Sequence, residues 1–213
     1  MTCRPDHLTI TAPSLQAGKD WLFERLGIDP QQGGEHPRMG THNLLLRLGA
    51  SIYLEVIAVN PAAPNPGRPR WFELDRLPAD ATPRLSGWVA RTQDIQVSLA
   101  EAREDLGVAM PMARAHLQWL ISIPEDGSLP FGGAGPTLIE WQTPSHPAQS
   151  LHDLGCQLLS LELQHPEPGR ISELIRRLGV ADPEVLVTVT AGSSAGLVAR
   201  IRTPAGLRTL GPD

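Results

Sequence analysis

Two carboxylates stand out because they sit where carboxylates are costly. Glu55 lies in the middle of Tyr53-Leu54-Glu55-Val56-Ile57-Ala58, and Glu140 in Leu138-Ile139-Glu140-Trp141. Both runs have the apolar, β-branched and aromatic character of buried strands. A carboxylate there needs a partner, since burying it alone is expensive. A metal ion would supply one, and so would an arginine such as Arg47, Arg70 or Arg91. A third candidate is His7, which alternates with Leu8 and Ile10 in His7-Leu8-Thr9-Ile10-Thr11. Alternation puts His7, Thr9 and Thr11 on one face of a strand. It likewise puts Tyr53, Glu55 and Ile57 together, opposite Leu54, Val56 and Ala58. Taken alone, His7 is more often an ordinary histidine than a ligand.

Further polar groups are placed to meet a small molecule. His42 and Asn43 follow Gly40, so a turn brings them over the same face, and surface capping is the rival role. His116 and Gln118 alternate against Leu117 and Trp119, which directs Gln118 to the pocket. Tyr53, Trp71 and Trp88 are candidates for apolar pocket walls, although core residues would look the same. Two motifs are set aside. Gly192-Ser193-Ser194-Ala195-Gly196 fits the pattern of a serine nucleophile, but strand-like residues flank it on both sides, so it reads as a hairpin turn. Gly132-Gly133-Ala134-Gly135 lacks the Lys-Ser/Thr pair of a phosphate loop, and reads as a connection rimming the pocket. Cys3 and Cys156 have no neighbours at metal-ligand spacing and no basic surroundings, so both read as inert.

The elements that must position these groups recur. Leu26-Gly27-Ile28, Leu106-Gly107-Val108 and Leu178-Gly179-Val180 each close a helical pattern. Leu15, Gly18, Leu22 and Leu26 form the first stripe, with Ser14 as N-cap. Ile95, Leu99, Ala102 and Leu106 form the second, capped by Asp94, and Ile171, Leu174, Ile175 and Leu178 the third. A strand precedes each helix. Strands follow at 43–48 and 52–59, then at 108–113, 116–123 and 137–142, then at 184–190, 195–203 and 207–210. Each unit thus runs strand, helix, then two or three strands. A single unit cannot bury both faces of its sheet. Two paired units cover one face with helices and leave the other as a trough.

Composition bounds the setting. Apolar residues make up 41% of 213 residues and charged residues 19%, as in folded globular chains. The net charge of −5 argues against nucleic acid as the main partner. No apolar run approaches the length of a membrane span and no secretory leader is visible, so a cytoplasmic protein with reduced thiols is expected.

The order β-α-β-β-β, twice in tandem, resembles the vicinal oxygen chelate superfamily, and within it the bacterial glyoxalase-like domain proteins. Asp6-His7-Leu8, Met39-Gly40-Thr41-His42-Asn43 and the strand around Glu55 carry the likeness. So do Arg68-Pro69-Arg70-Trp71-Phe72, the strand around Glu140 and His146-Pro147-Ala148 behind it. The resemblance implies an α+β fold: tandem βαβββ modules at about 5–62 and 84–143, within residues 1–148, forming a cupped mixed sheet, with a third partial βαβββ unit over 149–213. It also implies metal ligands on the first and last strands of each module. Carried over, these are His7, Glu55 and Glu140, while the fourth position falls near Trp88, which cannot ligate. Three protein ligands with open positions would suit a catalytic Zn, Ni, Mn or Fe ion. The expected function is then a metal-dependent lyase, isomerase or dioxygenase acting on a small oxygen-chelating substrate, with Glu55 and Glu140 catalytic. The alternative, favoured by Trp88, is a metal-free binding or resistance-type protein that uses the same pocket. The third unit has no comparable His and Glu pair. It is expected to cover a sheet edge or to pair with its copy in a homodimer.

Overall fold

The computed structural model describes residues 2–212. The first unit is β1 (Arg4–Thr11), α1 (Leu15–Leu26), β2 (Gln31–His36), β3 (Thr41–Arg47) and β4 (Tyr53–Val59). A 3-10 turn at Trp71–Arg76 leads to the second, β5 (Arg84–Arg91), α2 (Ile95–Ala102), β6 (Val108–Arg114), β7 (Leu117–Ile123) and β8 (Thr137–Trp141). The short α3 (Pro147–Ser150) connects to the third, β9 (Gln157–His165), α4 (Pro168–Arg177), β10 (Leu186–Ala191), β11 (Gly196–Thr203) and β12 (Gly206–Leu210).

Local chemistry sets the helix ends. The Ser14 hydroxyl accepts from the Ala17 N–H at 3.1 Å, and Gly27 closes α1 at φ 70°. Asp94 caps α2 through the Val97 N–H. The second helix is shorter than its stripe suggests. It stops at Ala102 because Arg103 turns left-handed, and Leu106 reaches the core from the following loop. Gly18 lets α1 lie directly on β4, since a Cβ there would sit 2.3 Å from Val56 Cγ1.

The first two units merge into one eight-stranded mixed sheet of order β2-β3-β4-β1-β5-β8-β7-β6. Within each unit the first strand runs parallel to the last, β1 with β4 and β5 with β8, and the units join along the antiparallel pair β1 and β5. The sheet curls until its edges approach, and Arg38 Nη1 on one side donates to Pro111 O on the other at 2.8 Å. The expected cupped α+β architecture is present.

One face is covered by helices and by the second sheet. Leu8, Leu22, Leu46, Leu54, Trp88 and Leu138 meet Leu161, Leu174 and Ile201 in a single core. The other face is the trough, with its own apolar cluster that includes Ile57, Trp71, Val89, Trp119 and Ile139.

The third unit keeps the element order but pairs differently. Its sheet runs β10-β9-β11-β12, with β9 flanked by β10 (parallel) and β11 (antiparallel). The segment Gly192–Gly196 therefore crosses over β9 and is not a hairpin. The expected hairpin fails because the two strands it joins are not neighbours. The run Gly132–Gly135 also leaves the trough. It packs against the backbone of Ser86, and Ala134 O accepts from Trp88 Nε1 in the helix-covered core.

Candidate functional site

The trough narrows to one cavity built from both units. Unit one contributes His7 from β1, His36 from β2, Asn43 from β3 and Tyr53 and Glu55 from β4. The 3-10 turn adds Trp71 and Phe72. Unit two contributes Arg114, Trp119, Ile121, Ile139 and Trp141. The cavity measures ≈ 350 Å³ out to its mouth, of which ≈ 20 Å³ admits the centre of a water molecule.

A bulge makes its first feature. In the β1–β5 pairing Pro5 faces Ala90 and His7 faces Val89, so Asp6 is an extra residue. Such an insertion re-aims side chains. Here it brings the Asp6 carboxylate, 0% exposed, against the His7 ring, whose Nδ1 donates to Asp6 Oδ1 at 2.7 Å. The other oxygen, Oδ2, accepts from Trp141 Nε1 and from His146 Nε2, both at 3.0 Å. The His146 tautomer follows from its role at the start of α3, where Nδ1 accepts from the Ala148 N–H. Burial alone would raise the Asp6 pKa. The hydrogen bonds from His146 and His7 outweigh it and hold the carboxyl far below the ordinary range. An ionised Asp6 can only accept, so Nδ1 of His7 carries a proton, and Nε2 offers a lone pair when the ring is neutral.

That lone pair faces Glu55. His7 Nε2 lies 3.8 Å from Glu55 Oε2, beyond hydrogen-bond length. Tyr53 stacks on His7 with ring centres 4.5 Å apart and fixes its plane. The Glu55 Oε1 accepts from Asn43 Nδ2 at 2.5 Å. The Asn43 orientation is set on its other side, where Oδ1 accepts from the Gly34 N–H at 2.8 Å and from Arg114 Nη1 at 3.2 Å. Gly33 and Gly34 allow this approach. A Cβ on Gly33 would fall 2.1 Å from Asn43 Oδ1, and one on Gly34 would fall 2.7 Å from Arg114 Cδ.

His36 completes the polar wall. Its Nε2 lies 3.2 Å from Arg114 Nη1 and its Nδ1 lies 3.1 Å from the Thr41 hydroxyl. Arginine can only donate, so Nε2 accepts and the ring is neutral. Burial first, then the nearby Arg114 charge, lowers its pKa to about 3. Phe72 and Glu73 both take left-handed φ near 58° and 57°, a strained pair at the cavity's edge. The Glu73 N–H donating to Gly127 O and the Arg76–Asp126 ion pair hold this turn down.

Of the expected site residues, His7, Asn43, Tyr53, Glu55 and Trp71 come together. Four do not, and each is off by one position along a strand. Glu140 shares the face of Leu138, where Oε2 accepts from the Ile95 N–H at 2.8 Å and Oε1 from Gln142 Nε2. It caps α2, and its neighbours Ile139 and Trp141 face the cavity. Trp88 lies in the helix-covered core, with Val89 on the trough side. Gln118 is exposed on the outer face, with Trp119 inside. His42 shares the face of Leu44 and Leu46, opposite Asn43, and burial lowers its pKa against the opposing charge of Glu35. The proposed arginine partners are corrected too: neither Arg47 nor Arg70 pairs with these carboxylates, and Arg91 approaches Asp6 at 3.8 Å. Asp6, His36, Arg114, Trp119 and Trp141 were missed. For Asp6 the signal was its place beside His7. For His36 there was none, since Gln31–His36 is a polar, glycine-bearing run without strand periodicity.

The registers also locate the metal positions. In unit one His7 pairs with Tyr53 and Thr9 with Glu55. In unit two Val89 pairs with Thr137 and Arg91 with Ile139. Val89 therefore occupies the place of His7, and Ile139 that of Glu55. Among the described residues no group of three or more His, Cys, Asp or Glu side chains could hold a metal ion. The donors present do not fit the four-ligand centre that the superfamily implies, and Arg114 puts a positive charge in the same space.

A family model described as "Glyoxalase-like domain" matches residues 6–179. The chain belongs to that family. With it comes membership of the vicinal oxygen chelate superfamily expected from the strand order. No curated protein matches this glyoxalase-like chain in sequence. Among solved structures, a hypothetical protein from Staphylococcus aureus is similar at 12% identity and a TM-score of 0.62, over 92% of this chain and 88% of that one. Methylmalonyl-CoA epimerase from Mycobacterium tuberculosis is similar at 16% identity and a TM-score of 0.40, over 64% and 85%. A methylmalonyl-CoA epimerase in complex with methylmalonyl-CoA and NH4+ gives 15% and 0.44, over 68% and 98%. No helix among the described residues is long and apolar enough to cross a membrane.

Proposed function

We propose that this glyoxalase-like chain binds a small carbonyl compound in its trough and moves a proton at the carbon beside the carbonyl, in an isomerase-type reaction. The observation that carries this reading is the 3.8 Å separation of His7 Nε2 and Glu55 Oε2, with Asp6 behind the imidazole. Two proton-carrying groups on one wall can take a proton from a carbon and give one back to it. His7 Nε2 accepts the C–H proton, and the Asp6 carboxylate stabilises the resulting imidazolium. The electron pair passes to the carbonyl oxygen as an enolate, within the field of Arg114. The enolate then takes a proton back at the same carbon, from the His7 imidazolium or from a protonated Glu55, and the carbonyl is restored. General acid–base groups of this kind contribute roughly 10²- to 10⁴-fold. No step is assigned to a metal, because the donor set does not fit one. A ligand larger than water needs the Trp71–Phe72 turn at the cavity's edge to swing outward.

Proton NMR in deuterium oxide tests it, using a panel of small ketones, aldehydes and 2-oxo acids. Exchange of the C–H bond beside the carbonyl is expected to exceed the buffer rate. His7→Ala and Glu55→Gln should each lower it about a hundredfold or more. Exchange no faster than buffer for the whole panel, or unchanged in His7→Ala, overturns the proposal. Sequestration without turnover is a second reading, favoured by the apolar half of the cavity around Trp119, Ile121 and Ile139. Tight binding of a panel member whose protons do not exchange supports it instead.

A further inference from the structure

The cavity contains a cation without a counter-charge. Arg114 ends β6 half-buried, and its Nη1 donates to His36 Nε2 and Asn43 Oδ1. Both acceptors are neutral. Among the described residues Arg114 makes no ion pair, and its Nη2 and Nε have no partner. Glu55, the carboxylate that lines the same cavity, is already engaged by Asn43. A guanidinium so placed is a two-pronged donor lacking its planar acceptor.

A second unmet donor belongs to the same wall. Trp71 is 4% exposed and lines the cavity, yet its indole N–H is buried and reaches no acceptor among the described residues. Buried donors are nearly always satisfied, so an orphan in a cavity wall marks where a ligand atom belongs. His36 ties the two together. Its ring meets the Trp71 ring edge-on with centres 5.2 Å apart, and its Nε2 takes a proton donor from Arg114. Arg114 and the Trp71 indole therefore both contact the His36 ring, in the cavity that His7 also lines. The remaining walls, Trp119, Trp141 and Phe72, are flat and apolar.

We propose that Arg114 and Trp71 form a carboxylate-binding subsite, so that the molecule taken by the trough is a small 2-oxo acid whose carbonyl end lies beside His7 and Glu55. A carboxylate can accept all three unmet donors, one on each oxygen from the Arg114 fork and a third from Trp71 on a remaining lone pair. A phosphate, with more oxygens and more charge, would leave acceptors unsatisfied against the aromatic walls. The position of the carbonyl end rests on the proton-transfer reading above, but the carboxylate subsite does not.

Isothermal titration calorimetry of the full chain with pyruvate, 2-oxobutyrate and phenylpyruvate, and with their methyl esters, tests the subsite. The acids should bind at least about tenfold more tightly than the esters. Arg114→Gln should weaken acid binding by roughly ten- to a hundredfold and leave ester binding unchanged, and Arg114→Lys should recover part of the loss. Trp71→Phe, which keeps the ring and deletes the N–H, should cost about tenfold. If Arg114→Gln fails to fold, Trp71→Phe and Arg114→Lys decide the matter. Esters binding as well as acids, no acid binding, or inorganic phosphate competing as well as the acids overturns the subsite. Acids that bind without exchanging protons leave the subsite standing and remove the proton-transfer reading. Neutral ketones exchanging as fast as the acids do the reverse.

Discussion

Asp6 grips the ring of His7 from behind, Oδ1 to Nδ1 at 2.7 Å, because a bulge turns two consecutive residues of β1 toward the same polar cluster. Asp6 also accepts from Trp141 and His146, so one buried carboxylate joins β1, β8 and α3.

Asp6→Asn breaks this arrangement, since its amide nitrogen presents hydrogens where the ring N–H groups already donate. We expect a stability loss of about 2–4 kcal/mol. Deuterium exchange of a responsive substrate should fall about a hundredfold or more. Urea unfolding and NMR exchange check the two effects separately, and an unchanged exchange rate would separate Asp6 from the chemistry.

Acid should destabilise the fold well above the pH at which ordinary carboxylates titrate. His36 has a folded pKa of about 3 against 6.5 unfolded, so between these values the unfolded chain binds the extra proton. Its contribution is complete above pH 6.5 and is lost as pH falls. The loss amounts to about 2 kcal/mol by pH 5. Asp6 adds a further loss below its ordinary value of 3.8, because its folded pKa is depressed. Urea midpoints measured between pH 7 and 4 should slope downward, and His36→Gln should flatten that slope above pH 4.

Glu140→Gln should leave ligand binding and proton exchange at their normal levels. Its carboxylate meets the first N–H of α2, so the expected cost is about 0.5–1 kcal/mol of stability from the helix terminus. Parallel assays of Glu140→Gln and Glu55→Gln compare the two faces directly. A hundredfold loss of exchange in Glu140→Gln would contradict the placement.

Gly33→Ala should damage the site more than the fold. The added methyl would press on the Asn43 Oδ1 that orients the amide toward Glu55. A shift of Asn43 costs about 1–3 kcal/mol by overpacking. It should also lower exchange as Asn43→Ala does, which kinetic comparison of the two variants can establish.

The missing half of a metal centre can be supplied. Val89→His with Ile139→Glu would set two donors opposite His7 and Glu55. The double variant should take up about one Zn²⁺ per chain, and the parent chain much less. Elemental analysis after purification without chelator checks both, and stoichiometric metal in the parent would contradict the reading of its donors.

The sequence by itself determined the tandem β-α-β-β-β order, the cupped α+β fold and the cavity side of β1 and β4 in unit one. There the alternation around His7 and Glu55 is unbroken, and each apolar partner residue marks the covered face. It did not determine the side in unit two. A slip of one residue moves every side chain of a strand to the other face. Trp88 and Glu140 looked functional by type, while the inward positions belong to Val89 and Ile139. Nor could it show that Asp6 is a bulge, or that Arg114, His36 and Trp71 meet. Those contacts join strands at opposite edges of the sheet and a loop 71–76 far along the chain, and only the curl of the tertiary structure brings them within reach.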